Sequence, residues 1–382
     1  MKSSLAAISF IFAATTTTVN AFVNPSTTRS YSVFQQNISN NKNNINIMTA
    51  ATSINQTPKT VALAAAAVSD TKVSANEYKE ALLAARDDID ILLAENACGP
   101  LMVRLAWHDA GNYDKNLASE KWPLAGGATG SIRFAPEINH GANAGLINGV
   151  KLIQTHIKEK HPLISYADLY QMASSRAIEY TGGGPSLGIR YGRQDVDSPD
   201  GCQKEGNLPD GEADPDTGNY GGTSGTASTE DKTPGGHLRK VFYRMGMNDE
   251  EIVALSGAHS LGRAYHDRSG LGAEQTKFTD GSTTQKFANG KVAPFHAGGS
   301  SWTEQFFVFD NSYFIVLNDD KSDPELLKMS SDKAVFKDDD FRPYAEKFRD
   351  NKESFFESYV KAHNKLSELG SKFVYDTPIT LD

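Results

Sequence analysis

From residue 74 onward, apolar residues recur at the three- and four-residue spacing of an α-helix, and polar glycine-rich stretches interrupt them. Ser165 precedes Asp168 by three residues, and Asn248 precedes Glu251 in the same way. This spacing is typical of residues that cap the beginning of a helix. Few segments alternate apolar and polar residues with period two. The sequence therefore predicts a mainly α-helical protein with at most short hairpins.

Two long segments, residues 205–236 and 270–300, break the helical pattern. Both are rich in glycine, threonine and aspartate and contain few apolar residues that could anchor them. We expect both to run over the surface as loops and to form the rim of a site. The chain has no internal repeat, phosphate-binding loop or dinucleotide fingerprint.

Composition limits the kinds of partner. The 382-residue chain carries a net charge of −9, and no lysine and arginine cluster is dense enough to follow a phosphate backbone. We expect no nucleic-acid partner. The only cysteines, Cys98 and Cys202, cannot form a disulfide framework, which favours a thiol-reducing compartment. No apolar stretch is long enough to predict a transmembrane anchor.

The first 70 residues differ from the rest of the chain. Residues 1–21 combine Lys2, a short apolar run and small residues around Ala21, the pattern of a signal peptide. Residues 22–74 form a transit-like leader, with no acidic residue before Asp70. Together they resemble a bipartite plastid leader and predict delivery to the stroma; secretion with a disordered spacer is the alternative. Without the four basic residues of positions 1–69, 34 basic and 47 acidic residues give a charge of about −13.

The stretch PLMVRLAWHDAGNYDK contains the first candidate site residues. On a helix beginning near Pro100, Arg104, Trp107 and His108 stand at i, i+3 and i+4, so their side chains share one face. Placing a cation, an imidazole and a large ring together costs desolvation, which an active site can exploit. The alternative is a helix turn whose Arg and His reach solvent.

A second candidate is His259 in NDEEIVALSGAHSLGR, which follows Ile252 and Leu255 on one inward-facing stripe. Small neighbours leave space beside the imidazole for a large flat group, such as a haem whose iron binds histidine. These neighbours are Ser256, Gly257, Ala258 and Gly262. The alternative is a hydrogen-bonded core histidine.

Trp302 in SSWTEQFFVFDNSYF and Asp332 in MSSDKAVF are the third candidates. A buried indole and a helix N-cap are the simpler interpretations of these two residues. Taken singly, none of the three sets decides the function.

Together and in this order, the segments resemble the class I haem peroxidases, and among them the chloroplast-type ascorbate peroxidases. The similarity begins near residue 75 and covers roughly 80% of the chain. The matching segments are VRLAWHDAG, HGANAG, YADLYQMAS, IVALSGAHSLGR, DRSG, FDNSYF, SDKA and KLSELG. The resemblance implies a mainly α haem peroxidase fold, with about ten helices in two lobes and one haem b between them.

The resemblance also implies a domain arrangement. A haem peroxidase domain would occupy residues 75–382. Its distal lobe would cover about 75–195 and its proximal lobe about 235–382, with a glycine-rich loop between them.

On the distal side, the resemblance makes His108 the base and then the acid that moves the peroxide proton. Arg104 would stabilise the developing negative charge. Asn143, with Glu137 behind it, would orient the histidine. Trp107 would pack over the haem face, and it separates class I from the secreted classes, which carry Phe there.

On the proximal side, the resemblance makes His259 the ligand of the haem iron. Asp332 would accept a hydrogen bond from its other ring nitrogen and so increase the negative character of the imidazole. Trp302 would lie under the haem within reach of the aspartate, and Ser256 would contact the cofactor.

The donor and a cation follow from the same resemblance. Arg268 would bind ascorbate, a suitable anion, in an enzyme that reduces hydrogen peroxide to water. Five residues match a monovalent cation site, expected to hold K⁺. They are Ser260, Thr303, Gln305, Val308 and Asp310. Gln305 replaces the more usual asparagine there, and Asn207 replaces an arginine for which the sequence offers no account.

Two other functions stay open. Cytochrome c could be the donor, with electron transfer through Trp302, since an acidic protein attracts a basic partner. The second alternative is a haem-binding protein without catalytic turnover, although Arg104 and His108 argue against it.

The resemblance also bears on the oligomeric state, because chloroplast-type relatives favour a monomer over a homodimer.

Overall fold

The computed structural model describes residues 73–118, 120–220 and 231–381 of the chain. Twelve α-helices lie in these described ranges, which confirms the mainly α-helical prediction. They are α1 Ala75–Asn96, α2 Gly99–Ala110, α3 Ala135–Ile138, α4 Ile147–Ile153, α5 Tyr166–Arg176, α6 Pro234–Met245, α7 Asp249–Ser256, α8 His266–Ser269, α9 Ser312–Asn318, α10 Ser330–Lys337, α11 Arg342–Asp350 and α12 Lys352–Glu368. None of the described helices is both long and apolar enough to cross a membrane. The predicted signal peptide at 1–21 and the predicted transit-like leader at 22–74 lie almost wholly outside the described residues.

Both predicted helix caps are present. The hydroxyl of Ser165 accepts a hydrogen bond from the Asp168 amide at 3.1 Å, where α5 begins. At the start of α7, the Asn248 side chain accepts from the Glu251 amide at 2.9 Å, and the Glu251 carboxylate accepts from the Asn248 amide at 2.8 Å. Each pair satisfies amide groups that have no partner inside the helix.

Helix α12 fixes the relative positions of the two elements that carry the first two candidate sets. It packs against α2, which bears Arg104 and His108, and against α7, which leads into His259. The buried face of α12 includes Phe355, Tyr359 and Leu366. Because buried side chains interlock at crystal-like density, this contact holds α2 and α7 at a set separation.

A buried ion pair ties together helices that lie far apart in the sequence. Arg193 donates to Asp168 of α5 at 2.8 Å, and neither side chain is exposed. Tyr78 of α1 donates to the same carboxylate at 2.8 Å, and Arg193 also donates to the Ser367 carbonyl of α12 at 2.9 Å. The satisfied charges therefore connect α1, α5 and α12 through the core.

The only two strands in the described ranges are very short. β1, Arg263–Ala264, pairs antiparallel with β2, Ser300–Ser301. This pairing makes residues 265–299 one long connecting segment, whose two ends lie beside the turn that carries His259. This agrees with the expectation of short hairpins at most.

The expected lack of apolar anchors in 270–300 was wrong. Phe278, Phe287 and Ala293 are each less than a tenth exposed. Phe287 and Ala293 belong to a small separate core with Phe306 and Phe307. Sequence composition hid this core, because its aromatic members are spread thinly and meet partners that follow β2.

The segment 205–236 is a loop over 205–220 and 231–233, and α6 begins earlier than expected, at Pro234. Proline is favoured in a first helical turn because its missing N–H would have no helical partner there. Residues 221–230 lie outside the described ranges. The division into two lobes stays a prediction.

Candidate active site

One cavity of about 1200 Å³ brings most of the candidate residues together. Its wall includes the three candidate residues of α2 and the candidate residues that surround the turn after α7. These lining residues are Arg104, Trp107, His108, Ser256, His259, Arg268, Trp302 and Asp332. The volume exceeds the roughly 300–1000 Å³ of common small-molecule pockets, so the cavity can admit a large cofactor.

His108 is buried and held through its Nδ1 atom. The Asn143 side-chain oxygen lies 2.7 Å from Nδ1, and the Asn143 amide nitrogen donates to the Glu137 carbonyl at 2.7 Å. Because the amide nitrogen is used in this way, the amide oxygen faces the histidine and must accept from Nδ1–H. The proton-accepting atom of neutral His108 is therefore Nε2.

Electrostatics keep His108 neutral. Burial lowers the pKa of His108 well below its usual value, and the nearby positive charge of Arg104 lowers this pKa further. The hydrogen bond to Asn143 acts in the opposite direction but is the smaller effect. A neutral buried imidazole next to a fixed cation can accept a proton from a bound molecule.

Arg104 is anchored with its charge intact. Its guanidinium donates to the carbonyls of Ala142 at 2.6 Å and Ala144 at 2.9 Å. Burial, followed by repulsion from Arg268, lowers the pKa of Arg104 to about 10, so the group remains protonated at neutral pH. The carbonyl anchors fix where this positive charge lies.

His259 lies in a short 3₁₀ turn, Gly257–Ser260, directly after α7. Its Nδ1 atom is 2.8 Å from the Asp332 carboxylate, while its side chain remains 41% exposed in the cavity wall. The Trp302 ring stacks on the imidazole, with ring centres 4.2 Å apart and planes inclined by 14°. Nε2 has no hydrogen-bond partner in the described parts of the chain and is free to bind a metal.

The Asp332 carboxylate collects four hydrogen bonds. One oxygen faces His259 and accepts from the Tyr313 hydroxyl at 2.9 Å. The other accepts from the Trp302 indole at 2.7 Å and the Met329 amide at 2.9 Å. The sequence predicted no role for Tyr313, since its spacing from Asp332 carries no periodic signal.

Sequence reasoning also missed Asn112, which supports the distal side. The side-chain amide of Asn112 donates to the Glu137 carboxylate at 2.7 Å. The main-chain carbonyl of Asn112 accepts from the side-chain amide of Asn207 at 3.0 Å. Burial raises the pKa of Glu137 to about 7. Asn207 therefore has a structural account, because it ties the loop beginning at residue 205 to the end of α2. The position of Asn112, four residues after His108, was the available signal.

The small residues near His259 do not all serve the cavity. Ser256 lines it and turns its hydroxyl to the Ile252 carbonyl at 2.9 Å. Gly257 does not: a Cβ atom there would lie 2.4 Å from the Phe355 ring. The expectation that Gly257 makes room for a flat group was wrong, because its small size permits close packing of α12 instead.

Arg268 lies on α8 at a partly exposed part of the wall. Its side chain is 37% exposed, and its guanidinium carbon sits 4.2 Å from the centre of the Tyr265 ring. The Arg268 stem passes against Gly145, where a Cβ would come within 2.9 Å of its Cδ. A cation held over an aromatic ring, yet open to solvent, is suited to binding an anion.

Only some residues of the expected cation site contact one another directly. Thr303 donates its hydroxyl proton to the Ser260 carbonyl at 2.9 Å, and the buried Ser260 hydroxyl has no partner. The Gln305 carbonyl accepts from the Val308 amide at 3.0 Å. The Asp310 carboxylate accepts from the Ser312 amide at 2.9 Å. In the described ranges, no group of three or more His, Cys, Asp or Glu side chains could hold a metal ion.

A mainly helical fold, with a carboxylate-bound histidine and a second histidine beside an arginine in one cavity, defines a peroxidase-type protein. The profile of the family described as peroxidase matches residues 84–351, and the chain belongs to this family.

Its curated relatives include an enzyme named L-ascorbate peroxidase T, chloroplastic, from Arabidopsis thaliana. The two are 50% identical over 76% of this chain and 61% of that relative, so the chain spans less than two thirds of its length. Probable L-ascorbate peroxidase 7, chloroplastic, from Oryza sativa subsp. japonica is 49% identical over 79% of this chain and 74% of the relative. A peroxisomal rice relative, probable L-ascorbate peroxidase 3, is 41% identical over 78% of this chain.

The arginine beside His108 should set the histidine pKa. Replacing Arg104 with Leu removes a positive charge and should raise the pKa of His108, although burial will still hold it below the usual value. Arg104→Lys keeps the charge and should change the pKa less. NMR titration of ring-labelled histidine in the full chain measures both. An unchanged pKa in Arg104→Leu would contradict this electrostatic account.

Proposed function

We propose that the chain is an L-ascorbate peroxidase, which reduces hydrogen peroxide to water with ascorbate as electron donor. The observation that carries this proposal is the placement of His108 and Arg104 in the same cavity wall as His259 and Asp332. The names of the curated relatives support ascorbate as the donor.

The cavity residues fit one haem b per chain. His259 presents an unpartnered imidazole nitrogen, and Asp332 holds its other nitrogen, the arrangement expected of a histidine that binds haem iron. Trp107, Trp302 and Ser256 supply further parts of the wall. When bound, the haem supplies an iron that exchanges electrons with peroxide and with the donor.

His108 moves the proton and Arg104 stabilises the charge. Nε2 of neutral His108 would accept a proton from one oxygen of peroxide and return it to the other, which leaves as water. Arg104, whose charge is fixed close to His108, would stabilise the negative charge that develops as the O–O bond breaks. Two electrons and two protons complete the conversion of one peroxide to two waters, and ascorbate supplies the electrons singly.

Three neighbours keep this machinery in place. Asn143 fixes the tautomer of His108, and Glu137 holds Asn143 through its main-chain carbonyl. The ring of Trp107 stacks on Phe242, with centres 5.3 Å apart and planes inclined by 6°. This stacking limits the motion of the Trp107 ring at the cavity wall.

Ascorbate binds at Arg268 in this proposal. The donor is a monoanion at neutral pH, and Arg268 is a partly exposed cation in the cavity wall. A charge-assisted hydrogen bond from the guanidinium to the donor would fix it at this edge.

The leader and the relatives bear on location and assembly. We place the mature protein in the plastid stroma, since the leader pattern accords with the chloroplastic relatives. The monomer remains our proposal for the assembly. A fusion of residues 1–74 to a fluorescent protein tests the first, and sedimentation of the mature protein tests the second.

Arg268→Ala should separate ascorbate from other donors. Because a hydrogen bond to a charged group contributes about 1.5–3 kcal/mol, kcat/KM for ascorbate should fall by about tenfold to 150-fold in the haem-loaded chain. Oxidation of a bulky uncharged aromatic donor should persist. Arg349→Ala, which removes an arginine paired with its neighbour Asp350, is the control. Equal loss of both donors would refute ascorbate binding at Arg268.

We also propose that the expected cation site binds K⁺. Its residues are Ser260, Thr303, Gln305, Val308 and Asp310. The unpartnered Ser260 hydroxyl and the Asp310 carboxylate support it. At a potassium concentration a hundred times Kd, binding would add about 2.7 kcal/mol of stability, seen as a higher Tm in KCl than in choline chloride. Asp310→Asn should abolish this difference. Asp319→Asn, which alters a carboxylate that accepts from the Lys321 amide in a similar way, should not; no effect of KCl on the unaltered chain would exclude the site.

A further inference from the structure

The loop of residues 209–215 lies between the cavity and the helix that carries Asp332. Six of its residues line the cavity, and the sequence predicted no individual role for any of them beyond the rim expected of residues 205–236. They are Pro209, Asp210, Gly211, Glu212, Ala213 and Pro215. One end of the loop is fixed from α6, because the Asp210 amide donates to Nε2 of His237 at 2.9 Å.

Glu212 caps the beginning of α10. One of its carboxylate oxygens accepts from the Ser330 amide at 2.8 Å, and the other accepts from the Ser330 hydroxyl. The Gly211 carbonyl accepts from the Ser331 amide at 3.0 Å. Two of the amides that lack helical partners at the start of α10 are therefore satisfied by this loop.

Asp332 cannot replace Glu212 in this role. It is the third residue of α10, and its carboxylate already accepts from the Met329 amide, Trp302, Tyr313 and His259. A carboxylate offers about four acceptor positions, so none remains for the Ser330 amide. Loss of Glu212 would leave that amide to water or draw it toward Asp332 in competition with His259.

The contact between loop and helix is close. A Cβ atom on Gly211 would lie 2.2 Å from the Met329 sulfur and 3.1 Å from the Leu271 side chain. A side chain at position 211 would therefore require the Met329 side chain to move. The loop is therefore packed against the residue that directly precedes α10, and Glu212 is held at its capping position.

We propose that Glu212 is a positioning residue for the proximal histidine. By capping α10, Glu212 fixes Asp332 and thereby the hydrogen bond from Asp332 to His259. Its negative charge at the helix N-terminus also opposes the positive end of the helix dipole, which would otherwise draw negative charge away from the Asp332 to His259 pair. The effect on the iron rests on the proposed function, whereas the effect on α10 does not.

Amide hydrogen exchange of the full chain without haem tests the first part. Loss of a helix cap costs about 1 kcal/mol, so Glu212→Ala should speed exchange at Ser330 to Lys333 by roughly fivefold. Glu212→Gln keeps an oxygen acceptor and should change exchange less. Asp216→Asn removes an exposed charge directly after this loop, from a residue without a contact to α10, and serves as the control. Exchange in Glu212→Ala that equals the control would overturn the proposal.

The midpoint potential of the haem-loaded chain tests the second part. A less firmly held Asp332 and one lost negative charge should both raise the ferric/ferrous potential in Glu212→Ala. Glu212→Gln should give a smaller rise, and Asp216→Asn almost none. Faster exchange with an unmoved potential would overturn the link to His259. Because exchange needs no haem, a chain that fails to oxidise ascorbate can still pass or fail the first test.

Discussion

The Asp332 carboxylate is the interaction on which the site depends. It is 2% exposed, and burying an unpartnered carboxylate would cost several kcal/mol. Four donors offset that cost, and each arrives from a different part of the chain: the turn after α7, the segment after β2, α9, and the residue before α10. The carboxylate thus joins these elements, and it leaves His259 with one free nitrogen in the cavity.

On the distal side, His108 is held by the neutral amide of Asn143 and lies beside the cation Arg104. Asn143 sets which ring nitrogen carries the proton, and burial beside Arg104 lowers the histidine pKa. The two histidines therefore differ in character although both line one cavity. His259 faces an anion and suits metal binding, whereas His108 faces an amide and a cation and suits proton transfer.

Much of this arrangement follows from sequence for identifiable reasons. Helical spacing alone places Arg104, Trp107 and His108 on one face, and the caps of α5 and α7 are local patterns of four residues. The meeting of His259 with Asp332, 73 residues away, has no such local signal and came only from family resemblance. Helical periodicity does not predict which segments that are distant in the sequence will contact each other in the fold.

The same limit explains what was missed. The roles of Tyr313 and Glu212 depend on contacts between segments far apart in the chain, so they appear only once the chain is folded. Asn112 had a local signal, its spacing of four residues from His108, but its contact with Glu137 had none. Gly257 shows the opposite error, because a small residue near a cavity was credited with making space for a cofactor. Its neighbour is the Phe355 ring, which belongs to the last helix.

The central claim is that one cavity binds haem through His259 and passes electrons from ascorbate to peroxide. Steady-state oxidation of ascorbate and of reduced cytochrome c by the haem-loaded chain, with peroxide as oxidant, tests it most directly. The account predicts rapid peroxide-dependent loss of ascorbate and little oxidation of cytochrome c. Preference for cytochrome c would contradict the donor, and turnover of neither would contradict the peroxidase assignment itself.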